Sequence, residues 1–268
     1  MAKIGILCFI DPLNTGGVFQ YIMSLIDGLK KVSKHEYILF YNDPKFKNFC
    51  SNTKYFRLVP IQENETIFTK IIRKMSLSFG FKSPLLGKYG AIKDHKIDLL
   101  INPLSSSICF HIGYPYIVVI YDLMHRYYTK FPEYSLMRRA MRELEYKKAT
   151  KYSVLTVVDS KQSEEDLIRF YNIKRNKIRI IPYCPPWYIY KYRNLDEFTI
   201  KNVINKYNLP EKFIFYPAQF WLHKNHKLLI ESLYILREQF NVIIPIVFVG
   251  SQKKDSKNTL TDINKVIK

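Results

Sequence analysis

The stretch that decides the fold is Lys3-Ile4-Gly5-Ile6-Leu7-Cys8-Phe9-Ile10, which leads into Asp11-Pro12-Leu13-Asn14-Thr15-Gly16-Gly17. The apolar first part is typical of a strand buried on both faces of a parallel sheet. The second part is a polar loop that ends in two glycines. A helix is predicted over residues 18–32, because apolar side chains recur there at helical spacing. Residues 37–41 predict a second strand, so the chain opens as the β-loop-α-β unit of a doubly wound α/β fold.

The same alternation continues through most of the chain. The sequence predicts further strands at 57–61, 97–101, 116–121, 154–158 and 177–181, and helices at 66–79, 85–95, 136–149 and 160–171. The dense mixed charge of helix 136–149 is expected on its outer, solvated face. A parallel sheet covered by helices accounts for this order of elements.

Three prolines between residues 182 and 186 break the pattern. Proline suits neither a central strand nor a helix interior, so the break predicts a linker. A second αβ pattern follows, with helices at 196–207 and 225–240 and strands at 213–216 and 245–250. We therefore predict an amino-terminal Rossmann-like domain over 1–182, a linker over 183–194 and a second Rossmann-like domain over 195–268. The second domain is expected to be incomplete, because a doubly wound half needs about 100–150 residues.

Composition limits the partners. The chain carries 42 lysines and arginines against 23 acidic residues, a net charge of +19. Such an excess attracts nucleic acid, an anionic membrane surface or phosphorylated small molecules, although a codon bias is an alternative source of the charge. The four cysteines lie far apart, which fits reduced thiols and gives no zinc signature. No apolar run reaches the roughly 18 residues that span a bilayer, so we expect a cytoplasmic chain with at most a peripheral membrane contact.

Gly16 and Gly17 lie between the first predicted strand and the first predicted helix. Glycines let a ligand approach the backbone closely, and the amides at a helix N-terminus favour an anion. The alternative interpretation is an ordinary tight turn between a strand and a helix. The loop is therefore a candidate anion site that the glycines alone do not establish.

The segment Tyr121-Asp122-Leu123-Met124-His125-Arg126 directly follows a predicted strand. Ligands of open α/β sheets gather at the carboxyl ends of strands. Asp122 is a candidate to accept a proton or bind a hydroxyl, and His125 is a candidate to add a hydrogen bond or a charge. Alternatively, Asp122 caps a turn and His125 packs beneath a loop.

Ser160 follows another predicted strand and either touches a ligand or caps the next helix.

The segment Tyr216-Pro217-Ala218-Gln219-Phe220-Trp221-Leu222-His223-Lys224-Asn225-His226 joins a predicted strand to a predicted helix. Asn225 is placed to cap that helix. Lys224 then lies at its positive end, where backbone amides and an ammonium group together hold a phosphate. His223 and His226 are three residues apart, but two imidazoles without a carboxylate or thiolate make a poor metal site. We therefore predict no metal.

Taken in order, four stretches resemble glycosyltransferase family 4, a large family with the GT-B fold. They are Thr15-Gly16-Gly17-Val18, residues 121–126 with Phe131-Pro132-Glu133, Val158-Asp159-Ser160, and residues 216–221 with His223-Lys224-Asn225-His226. The last is the most specific. The resemblance covers essentially the whole chain and corresponds to the family's first domain and about the first half of its second.

The resemblance implies an enzyme that transfers a hexose from a nucleotide-diphosphate sugar to a saccharide or lipid-linked acceptor. It implies retention of the anomeric configuration, no cofactor and no bound metal, with two Rossmann-like domains facing across a cleft. On the donor side, Gly16 and Gly17 would face the diphosphate or the sugar. Lys224 would neutralise the leaving diphosphate, with Gln219 and Asn225 on the same loop.

On the acceptor side, the resemblance makes Asp122 and His125 the candidate catalytic pair. Tyr121, Ser160 and His223 would line other parts of the cleft. Two of the positions depart from the family pattern, since many members have histidine where this chain has Tyr121 and arginine where it has Gln219.

A third departure concerns the donor domain. Family members carry two glutamates spaced E-x7-E that hold the donor sugar and ribose, and nothing after Gly250 supplies them. The resemblance therefore implies a truncated chain whose activity is impaired unless a second chain supplies the missing half. The alternatives are a non-catalytic remnant or binding subunit, a basic nucleic-acid-binding protein, or another GT-B enzyme such as a sugar-nucleotide epimerase or a phosphorylase. The expected setting is polysaccharide or lipid-linked sugar assembly at the inner face of a membrane.

Overall fold

The computed structural model describes residues 1–11, 16–32, 34–50, 55–61, 67–79, 81–82, 87–131, 134–250, 261 and 263. The chain forms two compact units. The first contains Met1–Tyr127 and Met137–Tyr190, and the second contains Tyr128–Leu136 and Lys191–Lys268. The predicted linker therefore contains the point where the first unit gives way to the second, while the second unit also takes in a short segment from the middle of the chain.

The first unit is built on a seven-stranded parallel sheet with the order β3-β2-β1-β4-β5-β6-β7. Its strands are β1 (Lys3–Cys8), β2 (Glu36–Tyr41), β3 (Phe56–Pro60), β4 (Leu99–Asn102), β5 (Tyr116–Val119), β6 (Leu155–Val158) and β7 (Ile178–Ile180). Strand order reverses between β1 and β4, where Ile4 lies opposite Leu99. In doubly wound sheets this reversal opens a crevice at the carboxyl ends of the strands.

Helices connect these strands. They are α1 (Gly17–Lys31), α2 (Lys45–Cys50), α3 (Ile67–Phe79), α4 (Gly87–Lys93), α5 (Ile108–Ile112), α6 (Met124–Tyr127), α7 (Leu136–Tyr152) and α8 (Lys161–Tyr171). The described parts of the predicted strands and helices agree with these bounds to within three residues at each end. The sequence did not predict the short helices α2, α5 and α6. None of the described helices has both the length and the apolar character needed to cross a bilayer.

The core of the first unit lies on both faces of the sheet. On one face, Ile4 and Ile6 of β1 pack in a buried cluster with residues of α1 such as Ile22. On the other face, Leu7 belongs to a cluster that includes residues of α4, α5, α7 and α8. Gly5 is required by this packing, because a Cβ there would lie 2.7 Å from Leu100 Cδ2. Alternate residues of one strand thus serve opposite cores, as a doubly wound sheet demands.

In the second unit, β8 (Ile214–Pro217) and β9 (Ile246–Val249) form a parallel pair. Helices α9 (Glu197–Tyr207) and α10 (His226–Phe240) flank them in sequence. Asp196 caps α9, since its Oδ1 accepts a hydrogen bond from the Thr199 amide at 2.7 Å. The segment 218–225 leaves the carboxyl end of β8, and Gly250 leaves that of β9. The same edge of this pair therefore carries Gly250 and the three donor-loop candidates Gln219, Lys224 and Asn225.

Candidate functional site

The loop after β1 ends at Gly16, the residue that precedes α1. Its φ of 57° and ψ of −119° form a conformation that side chains with a Cβ rarely adopt. Gly17 begins the helix, and a Cβ built there would have no atom within 4 Å. Gly16 is therefore required by the backbone, whereas Gly17 borders open space at a helix N-terminus. The predicted loop residues Asn14 and Thr15 lie outside the described residues.

An open pocket lies at the carboxyl ends of β1, β4 and β5, next to the reversal in strand order. It encloses about 420 Å³ and is lined by Val18, Leu104, Ser105, Tyr121, Asp122, Met141, Arg142, Glu145 and Tyr146. We call it the carboxyl-edge pocket. Its position is the one where open α/β sheets bind ligands, and it contains two of the predicted site residues, Tyr121 and Asp122.

Charged side chains meet in the carboxyl-edge pocket. Asp122 Oδ1 accepts a hydrogen bond from the Met124 amide at 3.0 Å, which starts α6. The same oxygen lies 3.8 Å from Arg142 Nη1, and both side chains remain over a third exposed. Glu145 Oε2 accepts from the Ser107 amide at 2.6 Å. Asp122 thus caps a turn and also presents a carboxylate, held near a guanidinium, to the pocket.

Arg142 and Glu145 correct the sequence analysis, which placed the charges of this helix on a solvated outer face. The two residues are partly buried and lie on the side of α7 that continues into buried Tyr146 and Ala149. The signal was present in the sequence, because positions 142, 145, 146 and 149 have the spacing of one helical face.

His125 lies beneath the pocket and does not line it. Its side chain is 1% exposed, and its Nε2 donates to Glu143 Oε1 at 2.7 Å. Arg126 also donates to the Glu143 carboxylate. Burial lowers the pKa of His125, and this effect exceeds the opposing influence of Glu143. The geometry is that of a histidine packed beneath a loop, with its ring 5.3 Å from that of Tyr146, which lines the pocket. A catalytic role of His125 stays a prediction.

Three tyrosines lie together beside the carboxyl-edge pocket. The rings of Tyr21 and Tyr121 are 5.4 Å apart edge to face, and Tyr183 lies 5.8 Å from Tyr121. The Tyr121 hydroxyl donates to the Pro103 carbonyl at 2.7 Å. Burial raises the pKa of Tyr121, and it raises that of Tyr21 to about 12. Tyr121 is therefore a neutral hydrogen-bonded wall of the pocket.

Ser160 acts as a helix cap. It precedes α8, and its hydroxyl oxygen accepts from the Ser163 amide at 3.2 Å. The hydroxyl also lies 3.1 Å from Asp159 Oδ1. The capping interpretation accounts for these contacts, and a ligand contact of Ser160 stays a prediction.

In the second unit, the loop after β8 is held by its own hydrogen bonds. The Tyr216 hydroxyl donates to the Lys224 carbonyl at 2.7 Å, and Trp221 Nε1 donates to Gln219 Oε1 at 2.6 Å. Lys224 is exposed and ends a short 3-10 turn two residues before α10. An exposed ammonium group thus lies at the positive end of a fifteen-residue helix.

Asn225 differs from the expectation that its side chain caps α10. Its backbone is left-handed, with φ 52°, and its side chain makes no capping hydrogen bond. A left-handed residue points its side chain away from the following amides, whereas the capping geometry needs an extended backbone. The Asn225 side chain therefore does not cap α10. The first amides of the helix face the loop that carries Lys224.

The two histidines of this loop have separate surroundings. His226 is fully buried against the rings of Tyr216, Phe220 and Phe248, and burial lowers its pKa. His223 instead has its ring 6.2 Å from that of Phe131. The described residues contain no group of three or more histidine, cysteine or acidic side chains that could hold a metal ion.

Gly250 is a residue of this edge that sequence reasoning missed. A Cβ there would lie 2.2 Å from the Ala218 carbonyl oxygen and 3.0 Å from Gln219 Cα. The backbone after β9 thus touches the start of the loop that carries Gln219 and Lys224. A glycine directly after an apolar strand was the available signal.

Comparison with known proteins gives a clear structural result. The sequence matches no protein-family model and none of the curated proteins. HepE from Anabaena, solved with UDP and glucose, matches with a TM-score of 0.67 and 14% identity over 100% of this chain and 66% of that one. A glycosyltransferase from Rickettsia africae matches with a TM-score of 0.62 and 15% identity, over 99% of this chain and 64% of that one. The UDP-GlcNAc 2-epimerase from Neisseria meningitidis, bound to UDP-GlcNAc, matches with a TM-score of 0.55 and 12% identity, over 99% of this chain and 70% of that one.

These likenesses establish the fold. The chain has the α/β architecture of GT-B glycosyltransferases, with a parallel seven-stranded sheet. The predicted α/β, GT-B-like fold class is confirmed. The chain spans just under two thirds of the length of the first two structures.

Proposed function

We propose that this protein is a nucleotide-sugar-dependent glycosyltransferase. The observation that carries the proposal is the exposed Lys224, held by the Tyr216 hydrogen bond ahead of the α10 N-terminus, at the carboxyl edge of a parallel strand pair. Helix amides and an ammonium group together suit a diphosphate. The solved structures of like fold that contain UDP or a UDP sugar support this choice of ligand.

The proposed reaction needs two kinds of group. As the bond between the anomeric carbon and the diphosphate breaks, negative charge grows on the leaving oxygen, and Lys224 would neutralise it. The acceptor oxygen then bonds to the anomeric carbon and passes its proton to the Asp122 carboxylate. Asp122 is the proposed partner of the acceptor hydroxyl, because its carboxylate faces the carboxyl-edge pocket beside Arg142. We propose transfer of a hexose with retention and without a metal, to a saccharide or lipid-linked acceptor.

A peripheral membrane contact is part of the proposal. Helix α3 exposes Phe68, Ile71, Met75 and Phe79, at spacings of three and four residues. Such spacing lines up the side chains along one helical stripe. Together with the net charge of +19, an exposed apolar stripe suits the surface of an anionic bilayer. A lipid-linked acceptor would be reached from that surface.

Calorimetric titration tests the donor part of the proposal. UDP, GDP and their sugar conjugates would be titrated into the protein and into Lys224→Ala. Lys201→Ala is the matched control, because Lys201 is an exposed lysine of the same unit that is paired with Glu197 on α9. We expect one nucleotide to bind with a Kd in the micromolar range, roughly tenfold weaker in Lys224→Ala and unchanged in Lys201→Ala.

The opposite results have definite meanings. Equal affinity of the protein and Lys224→Ala for every nucleotide would remove the second-unit loop from the donor site. Conversion of the bound sugar nucleotide to an epimer without any acceptor would replace the transferase proposal by the epimerase class. Binding of RNA in place of nucleotide sugars, with a steep salt dependence, would favour the basic nucleic-acid-binding alternative.

A further inference from the structure

A second pocket lies at the opposite, amino edge of the large sheet, where α7 and α8 end and β6 and β7 begin. It encloses about 440 Å³ and is lined by Lys147, Thr150, Lys151, Tyr171, Asn172, Ile173, Lys174 and Lys177. We call it the lysine pocket. It shares no residue with the carboxyl-edge pocket. Nothing in the proposed transfer reaction uses it.

The lysine pocket is lined by four lysines and no acidic residue. The nearby carboxylates are engaged by other side chains. Glu143 accepts hydrogen bonds from His125 and Arg126, and Glu164 accepts one from Arg175. Within the described ranges, none of the four ammonium groups forms an ion pair. Lys177 donates to the Ser153 carbonyl at 3.2 Å, which leaves its charge uncompensated. The pocket therefore gathers positive charge that the chain does not neutralise.

Helix dipoles account for only part of this charge. Two helices end at the pocket, α7 at Tyr152 and α8 at Tyr171. A helix C-terminus carries about −0.5 elementary charge, so the two ends together offset about one lysine of the four. About three positive charges remain around one concave site. Such clustering costs stability through repulsion unless an anion occupies it.

We propose that the lysine pocket binds a phosphate-bearing anion with two or more negative charges, of the diphosphate or phosphate-monoester class. The charge matches the excess left by the helix ends, and ammonium groups bind phosphate through charge-assisted hydrogen bonds. A volume of about 440 Å³ is within the range of small-molecule sites. The phosphate has two possible sources, a soluble compound or a phospholipid headgroup. The inference is independent of the proposed transferase activity.

The test uses inorganic pyrophosphate as the probe, titrated into the Lys224→Ala protein so that the second-unit loop does not contribute. In that background, Lys151→Ala with Lys174→Ala removes two pocket lysines. Lys201→Ala with Lys206→Ala is the charge-matched control on α9. We expect the pocket variant to bind pyrophosphate about a hundredfold more weakly, roughly tenfold per lysine, and the control to bind it as before.

Vesicles separate the two sources. Flotation with vesicles of phosphatidic acid, whose headgroup is a phosphate monoester, against phosphatidylcholine vesicles, would use the same two double variants. Loss of pyrophosphate binding in the pocket variant assigns the site to a soluble phosphate compound. Loss of phosphatidic acid binding in the pocket variant, with no pyrophosphate bound by the parent, assigns the site to a phospholipid headgroup. Equal effects of the pocket and control variants in both assays overturn the proposal.

A measurement on the unsubstituted protein guards against misfolding of the variant. Lysine acetylation would be followed by mass spectrometry with and without pyrophosphate or phosphatidic acid vesicles. We expect one of these ligands to protect Lys151 and Lys174 while leaving Lys201 reactive. Acetylation of Lys151 and Lys174 at an unchanged rate with both ligands would also overturn the proposal. The melting temperature of the pocket variant at low salt is expected to equal or exceed that of the parent, because repulsion is relieved.

Discussion

The Nε2 atom of His125 lies 2.7 Å from Oε1 of Glu143, and the histidine ring is 1% exposed. This hydrogen bond ties α6, which begins two residues after Asp122, to α7, which carries Arg142, 3.8 Å from Asp122 in the carboxyl-edge pocket. The residue predicted as half of a catalytic pair therefore supports the pocket from below. Its effect on any reaction is expected to pass through the position of Asp122.

The protonation of His125 makes stability depend on pH. Burial lowers its pKa below the ordinary value of about 6.5. At a pH above that ordinary pKa, the His125 side chain is neutral in both the folded and the unfolded chain. Below it the unfolded chain binds a proton that the folded chain resists, so the free energy of unfolding falls with falling pH, by at most about 1.4 kcal/mol per pH unit. His125→Gln is expected to make the fall shallower.

Urea unfolding at about pH 7.5 and about pH 5.5 measures this effect. Burial also lowers the pKa values of His95 and His226, so part of the fall should remain in His125→Gln. The control is His35→Gln, which removes a histidine from the loop before β2. An identical pH dependence in the protein and His125→Gln would contradict the assignment of a lowered pKa.

The two glycines at the start of α1 are expected to respond differently to alanine. Gly16→Ala should lower the free energy of unfolding by about 1–3 kcal/mol, because its positive φ strains a residue with a Cβ. Gly17→Ala should be neutral or stabilising by up to about 1 kcal/mol, since its Cβ meets nothing within 4 Å. Thermal unfolding measures both. If a donor phosphate or sugar rests on Gly17, Gly17→Ala will weaken nucleotide-sugar binding without loss of stability.

Gly250 offers a test of the donor-loop geometry. Gly250→Ala should cost about 1–3 kcal/mol of stability, because the new Cβ would lie 2.2 Å from the Ala218 carbonyl oxygen and force the loop to move. Gly28→Ala is the control, since Gly28 lies inside α1 with no atom within 4 Å of a Cβ, and it should stabilise the helix. Both chemical unfolding and nucleotide titration should distinguish Gly250→Ala from the unsubstituted protein. Wild-type behaviour of Gly250→Ala would mean that the loop does not rest on this glycine.

The sequence predicted the fold well where periodicity is strong. The apolar run of β1 and the helical spacing of Ile22, Leu25, Ile26 and Leu29 in α1 contain enough repeats to define the element and its buried face. Helices α2 and α6 contain six and four residues, too few for a period. Local signals for them existed, because Asp43 accepts from the Lys45 amide and Asp122 from the Met124 amide.

The site was predictable only in part for a different reason. Asp122 follows a strand, and strand ends can be located from sequence, so its place at the carboxyl edge was expected. Arg142 and Glu145 reach the same pocket from a helix about twenty residues further along. Their contacts with Asp122 and with the Ser107 amide depend on how α7 packs, which local sequence does not specify. The donor role of Lys224 stays a prediction.

The exposed stripe of α3 is expected to govern membrane binding. Phe68→Ser with Phe79→Ser removes two of its large apolar side chains, which are 66% and 75% exposed. Because exposed side chains contribute little to folding, stability should change by less than about 1 kcal/mol. Flotation with phosphatidylglycerol vesicles should fall, whereas Phe198→Ser, an exposed phenylalanine of α9, should leave it unchanged. Equal flotation of all three proteins would exclude α3 as the contact.

Substitutions of the two carboxylates in the carboxyl-edge pocket are expected to have different effects, one on activity and the other on stability. Asp122→Asn keeps an oxygen for the Met124 amide but removes the charge beside Arg142. Since both partners are over a third exposed, stability should change by less than about 1 kcal/mol. If Asp122 takes the acceptor proton, release of nucleoside diphosphate in the presence of acceptor should fall by about a hundredfold or more. Glu145→Ala should instead lower stability, because it removes the oxygen that accepts from the Ser107 amide at 2.6 Å. Full transfer by Asp122→Asn with normal donor binding would remove Asp122 from the reaction and leave it the role of a turn cap.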